Sequence, residues 1–430
     1  MKTHFRLFIL AAAATLWATS SQAQNLEKLT LQEAEQIAIR NHPRIQAAVN
    51  LASAAKAQVT QARSAYYPTI YGSLTGADAE SNSRIAAGVL NNPIIFDRYA
   101  NGVTVSQLVT DFGRTHELVR SSNLRAQAEQ ESVVTSTADV LLQVDQSYFA
   151  TLRAQSVLAV AEETVKARQL ASDQVTELAK NKIRSDLDVN FANVNLAQAQ
   201  LLLIQSQNDL QSSFARLSAT LGYSDQRVFQ LADQPVPAAP PADVSVLIQQ
   251  ALRDRPELVG QRFTVGSSES YAKAERDLKL PTVSALGAAG LVPYNQAPLA
   301  PRYAAAGFNV NIPIFNGHLF SALQSEATSR AQAENQYLRD LQNQIVRDVQ
   351  TTWLNANSAF QRLSVTERLL DQANQALDLA QSRYSLGLSS IIELSQAELN
   401  QTEARIEQAS AVYDYQAQYS FLNYQLGALH

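Results

Sequence analysis

Two hydrophobic periods take turns along the chain. Ile345, Val349, Trp353, Ala356, Phe360 and Leu363 are spaced by 4, 4, 3, 4 and 3 residues. Leu141, Val144, Tyr148 and Leu152 are spaced by 3, 4 and 4. Each set makes one narrow apolar stripe on a helix. The second period is two. Phe308, Val310, Ile312 and Ile314 alternate with Asn309, Asn311 and Pro313, and Val103, Val105 and Val109 alternate with Thr104, Ser106 and Thr110. Such runs, ~10 residues long with one apolar and one small polar face, suit a membrane barrel strand and equally an edge hairpin of a soluble sheet.

The helices are predicted to be very long. From Arg114 to Leu221 there is neither glycine nor proline, and from His318 to Leu426 only Gly387. Those are the residues that most strongly break regular structure. An uninterrupted helix of ~65 residues would measure ~100 Å, a rod suited to crossing a distance. Each tract holds one expected turn. In the second it is Tyr384 to Ser390, where Gly387 can take the left-handed conformation. In the first it is Ala179 to Asp186, where Asn181 can take positive φ and Ser185 or Asp186 can cap the next helix. Each tract then folds into an antiparallel helical hairpin.

The plan is duplicated. "LTLQEAEQIAIRNHPRI" from Leu29 matches "VSVLIQQALRDRPEL" from Val244. Pro43 and Pro68 are 25 residues apart, as are Pro256 and Pro281. Gly113 to Gly222 spans 109 residues and Gly317 to Gly427 spans 110. Each half reads as short helix, longer helix, strand, loop, strand and helical hairpin. The strands are expected over Tyr67 to Ala79, Gly102 to Phe112, Pro281 to Val292 and Ala306 to Phe315. The segments between paired strands, residues 80–101 and 293–303, read as exposed loops. The halves are residues 24–222 and 244–430, joined by the Pro-rich segment 223–243.

The N-terminus reads as a signal peptide, residues 1–23: basic Lys2 and Arg6, apolar Leu7 to Ala18, and a Ser21-Gln22-Ala23 cleavage site. Removing Lys2 and Arg6 from the 34 basic residues leaves 32 against 39 acidic ones, a balance of −7. That offers no footprint for nucleic acid. There is no cysteine, hence no disulfide, thiolate metal site or lipid-modified cysteine. After residue 23 no apolar run is long enough for a transmembrane helix. A membrane-spanning form must then be a closed barrel.

Four strands cannot close one, since the smallest membrane barrels have about eight. Several chains must pool their strands, and cyclic symmetry is the usual closed solution. Two copies would give a barrel filled by side chains; three would leave a lumen. The helices would continue the ring as a tube. The competing reading is a long soluble coiled-coil scaffold of the periplasm, without a channel.

With "LTLQEAEQIAIRNHP", "YYPTI", "LVTDFGR", "RYSLGLSSIIELSQAEL" and "YQLGAL" in this order and duplicated, the chain resembles the TolC family of outer-membrane efflux proteins over nearly its whole length. The resemblance implies a mainly α protein with a minor β part. Long helical hairpins would form a periplasmic α-barrel, and four strands per chain would enter a 12-stranded transmembrane β-barrel of a homotrimer in outer-membrane lipid. It further implies an exit duct of a tripartite efflux or secretion system, docking with a periplasmic adaptor and an inner-membrane pump. Family members constrict the tunnel near the hairpin turns. Tyr384 matches the aromatic constriction position and Glu393 an acidic one, while Asp188 matches an acid that accepts a contact from that tyrosine. Gly387 and Asn181 mark the turns nearest the adaptor. Ser389 stands where the family pattern has an arginine and Gln396 where it has a second acid. Three Glu393 side chains facing one another in a narrow lumen would favour cations; the plainer reading of Glu393 is a solvated helix residue.

Nothing in the chain points to chemistry. The histidines, at 4, 42, 116, 318 and 430, are isolated, and there is no HExxH, GxGxxG, Walker A or GxSxG motif. No enzyme activity and no cofactor are expected, and transport through the duct is passive.

Overall fold

The computed structural model describes residues 28–80, 97–295 and 300–429. The expected signal peptide lies outside them. The order of elements is the same in both halves. A two-residue strand, β1 (Lys28–Leu29), precedes α1 (Leu31–Asn41) and α2 (Pro43–Arg63); then come β2 (Thr69–Ala77), β3 (Arg98–Thr110), α3 (Arg114–Lys180) and α4 (Asp186–Thr220). The second half runs β4 (Gln230–Leu231), α5 (Val244–Asp254), α6 (Pro256–Arg276), β5 (Thr282–Asn295), β6 (Arg302–Asn311), α7 (Leu319–Ser385) and α8 (Ile391–Gln425). The short strands β1 and β4 pair in parallel, so the Pro-rich joint is anchored to the start of the chain.

Local chemistry explains the breaks. Thr30 and Glu33 close a reciprocal capping box at the start of α1. The residue before proline avoids helical ψ. His42 and Arg255 accordingly sit extended at ψ 122, and Pro43 and Pro256 open the next helices at positions where no N–H is missed. Helices α3 and α7 each run 67 residues, ~100 Å.

The apolar stripes bury against the chain's own short helices. Val144, Tyr148 and Leu152 of α3 meet Ala34 and Ala38 of α1, with Phe214 and Leu217 of α4. Ile345, Val349 and Ala356 of α7 meet Leu247 and Ala251 of α5 and Leu422 of α8. The helices form one layer. Along its first half α3 lies between α2 and α6, along its second between α4 and α8, and both α6 and α8 also pack on α7.

At the other end the strands form one antiparallel sheet in the order β2-β3-β5-β6. They run 9, 13, 14 and 10 residues, long enough to cross a hydrocarbon layer when tilted. The register aligns Ile70, Val105, Gly287 and Ala306, and next to them Leu74, Val103, Ala289, Phe308 and Val310, on one face. Thr69, Ser73, Thr104, Ser106, Ser284 and Asn309 share the opposite face. Among the described residues the apolar face is left uncovered: Leu74 remains 76% exposed and Phe308 78%.

Three expectations shift. Strand β3 begins at Arg98, and β5 and β6 reach Asn295 and Arg302, so the paired strands extend into segments expected as loops. Strand β6 stops at Asn311 rather than Phe315, because Pro313 carries no N–H for a ladder. Strand β2 starts at Thr69, after a turn of 3₁₀ helix at Ser64–Tyr66. Among the described residues no helix is long and apolar enough to cross a membrane.

Candidate gate at the helical tips

Both hairpin turns close the same way. In the second, Gly387 has φ +72, its N–H donates to the Tyr384 carbonyl at 3.0 Å, and Leu388 N–H donates to the Arg383 carbonyl at 2.8 Å. This paired pattern is the Schellman closure. In the first, Lys182 N–H donates to Ala179 at 2.8 Å and Ile183 N–H to Leu178 at 2.9 Å. The left-handed residue there is Lys182, at φ +59, and not Asn181, whose φ is −87. Asn181 satisfies a helix-end carbonyl instead, donating from Nδ2 to Glu177 at 2.8 Å.

The following helices start on serine caps. Ser185 Oγ accepts from Asp188 N–H at 3.2 Å. The Asp188 carboxylate takes the Ser185 N–H at 3.1 Å and its hydroxyl at 3.0 Å. Ser390 Oγ accepts from Glu393 N–H at 3.4 Å.

Tyr384 is 7% exposed, within an apolar tip formed with Ala380, Ile391, Leu394 and Phe191. The contact from this tyrosine to Asp188 that the resemblance implies is not made. Its hydroxyl has no hydrogen-bond partner, and the Asp188 carboxylate is engaged in its own helix cap. Burial pushes the Tyr384 phenol up, opposed by the charge of Arg184 and reinforced by that of Asp188. Arg184 is the residue that reaches it. The guanidinium carbon sits 4.0 Å from the ring centroid, and Nη2 donates to the Tyr384 carbonyl at 2.5 Å. Glu393 pairs with Arg383 of its own hairpin at 3.0 Å, with both side chains about half exposed. Ser389 keeps a buried hydroxyl without a partner, and Gln396 donates to Asn400 at 2.8 Å on the same helix.

Higher on the hairpins, Arg168 of α3 pairs with Glu398 of α8 at 2.6 Å. Asn195 of α4 donates to Glu398 at 3.3 Å and to Ser395 at 2.8 Å. Burial pushes the Glu398 carboxyl up while Arg168 pulls it down. Arg168, Arg184, Tyr384, Leu394, Glu398 and Arg405 line one groove of about 650 Å³ between the hairpins.

Sequence reasoning missed Arg184 and the Arg168–Glu398 pair. The pair joins positions 230 residues apart, which no local pattern marks. Arg184 had a weak signal: with Lys180 and Lys182 it makes the first turn basic, opposite the turn that carries Tyr384. Among the described residues no group of three or more His, Asp or Glu is gathered to hold a metal ion.

The arrangement is one of ties between helices. The family model of the outer membrane efflux proteins matches residues 34–223 and 247–428. The chain belongs to this family, whose members are channel proteins. It is an outer-membrane channel of the efflux type whose helical part extends into the periplasm. It is similar to outer membrane protein TolC of Vibrio cholerae, at 24% identity over 96% of this chain and 93% of the relative. It is also similar to the alkaline protease secretion protein AprF of Pseudomonas aeruginosa, at 23% identity over 93% of this chain and 85% of the relative. Among solved structures, CusC superposes with a TM-score of 0.81 at 20% identity, covering 96% of this chain and 95% of that one.

Proposed function

We propose that three copies of this chain assemble into a passive exit duct through which an inner-membrane pump, coupled by a periplasmic adaptor, discharges its cargo. The observation that carries the reading is that both layers of the chain end open on the same two sides. The sheet ends at β2 and β6, and the helical layer ends at α2 and α4 on one side and α7 on the other. Unpaired strand edges and an uncovered apolar face are costly in lipid and in water alike. Head-to-tail closure, edge β2 of one copy on edge β6 of the next, removes both edges in one cyclic operation. Two copies would give a barrel too narrow for a lumen; three copies of four strands leave one. The face of Thr, Ser and Asn then lines the lumen, and the face of Ile, Leu, Val and Phe meets outer-membrane lipid.

In this reading the tips bearing Tyr384, Asp188 and Glu393 form the periplasmic constriction, and the turns at Gly387 and Asn181 are presented to the adaptor. A soluble scaffold, the competing reading, leaves the uncovered apolar face of the sheet without a role. The test is extraction and conductance. The mature protein should leave the outer membrane only in detergent and insert channels into planar bilayers. A protein that stays soluble without detergent and gives no conductance would end the proposal.

A further inference from the structure

The arginine expected on the second hairpin is absent, since Ser389 occupies its place. An arginine nevertheless lies at the tip, on the opposite hairpin. We propose that Arg184 is the latch that holds the first hairpin, α3 and α4, to the second, α7 and α8, gripping the ring face and the carbonyl of Tyr384 and making no use of its hydroxyl. This rests on the duct reading above and names how its closed state is held.

The grip has two parts that only a planar guanidinium combines. Its carbon lies 4.0 Å from the ring centroid, where the face of the π system attracts a cation. Its Nη2 donates at 2.5 Å to the carbonyl of the same residue, in the last turn of α7. The carbonyls of a helix's last turn form the negative end of its dipole. Ring and helix end are therefore held by one side chain. Lysine, a point charge without a plane, cannot reproduce both contacts.

Arg184 also has little slack. Two residues before it, Lys182 is fixed in the left-handed turn; the next residue, Ser185, is the cap of α4. The capping box between Ser185 and Asp188 holds that cap from both directions. Asp188 is thus a positioning residue: it sets the backbone from which Arg184 reaches across and does not itself touch the tyrosine. The Tyr384 hydroxyl is buried without a partner, so removing it deletes no contact. The second tie, Arg168 to Glu398, lies twelve residues before the end of α3, ~18 Å along the helix. It leaves the segment below it, with Arg184, as the part free to swing.

Single-channel conductance in planar bilayers, with thermal melting of the same samples, tests the latch. Arg184→Ala should raise conductance several-fold with an unchanged melting curve. Tyr384→Phe should conduct like the wild type, because ring and carbonyl remain, whereas Tyr384→Ala should match Arg184→Ala. If Arg184→Ala fails to assemble, Arg184→Lys and Tyr384→Phe decide: the lysine variant should conduct more than the phenylalanine one, and the reverse order overturns the proposal. Wild-type conductance in Arg184→Ala, or a rise in Tyr384→Phe as large as in Arg184→Ala, also overturns it while leaving the duct standing. A wild-type protein that inserts no channel overturns both.

Discussion

Arg168 Nη1 lies 2.6 Å from Glu398 Oε1, and the two side chains are only 10% and 8% exposed. The pair bolts α3 of the first repeat to α8 of the second. Burial works against both charges, lowering the Arg168 pKa and raising that of Glu398. Breaking such a pair on one side leaves a buried lone charge, at a cost of about 3–5 kcal/mol, whereas replacing both partners with apolar groups of like volume is close to neutral. Arg168→Ala should therefore melt well below the wild type, and Arg168→Met with Glu398→Leu should recover most of the loss. A double variant as unstable as the single one would show that the charges, not the packing, hold the helices together.

A second buried carboxyl should make stability depend on pH. Asp145 of α3 is 2% exposed and accepts from Ser420 of α8, and Glu35 of α1 lies against it. Burial pushes Asp145 up from 3.8 to about 7, with the charge of Glu35 adding to the rise and Ser420 opposing it. A carboxyl raised on folding contributes stability that is fully present below its unfolded value and lost as pH climbs through its folded one. Wild-type protein should lose stability progressively from about pH 4 to about pH 7, and Asp145→Asn, always neutral, should flatten that slope. Parallel pH–stability curves for the two proteins would exclude Asp145 as the source.

The repeat leaves matching close contacts at its two helix ends. A Cβ on Gly222 would stand 2.9 Å from the carbonyl carbon and oxygen of Asn41, and one on Gly427 would stand 2.9 Å from the carbonyl oxygen of Asp254. Both glycines have positive φ and press on the corner before proline. Alanine at either position should cost about 1–3 kcal/mol from backbone conformation, with the clash added. The losses at the two positions should be similar, and chemical denaturation of the two single variants measures them.

Glu393 is partly neutralised by Arg383 at 3.0 Å. If Glu393 lines the constriction, Arg383→Gln should free its charge and make the channel more selective for cations. The reversal potential under a salt gradient reads this directly, and an unmoved potential removes Glu393 from the lumen.

Much of this architecture is legible in the sequence. The missing glycines and prolines marked the helical tracts, and Gly387 marked one turn, because the left-handed conformation is costly for other residues. The first turn falls where it was expected, but its left-handed residue lies one position later. Lys182 takes the left-handed conformation there although Asn181 is intrinsically better suited, because the two hydrogen bonds from Lys182 and Ile183 settle the geometry. Pro313 ended β6 four residues early, a rule about ladder donors that period-two alternation had hidden. What could not be read was pairing between repeats. Arg184 on Tyr384, and Arg168 on Glu398, arise only when α3 and α4 are laid beside α7 and α8, and a single sequence carries no trace of that alignment.

The claim on which the account stands is that separate copies complete one cylinder, edge β2 against edge β6. Native mass spectrometry of the detergent-solubilised protein tests it most directly. The account predicts a particle of three chain masses, dispersing to single chains only on denaturation. A particle of one chain mass, stable without detergent, would contradict it.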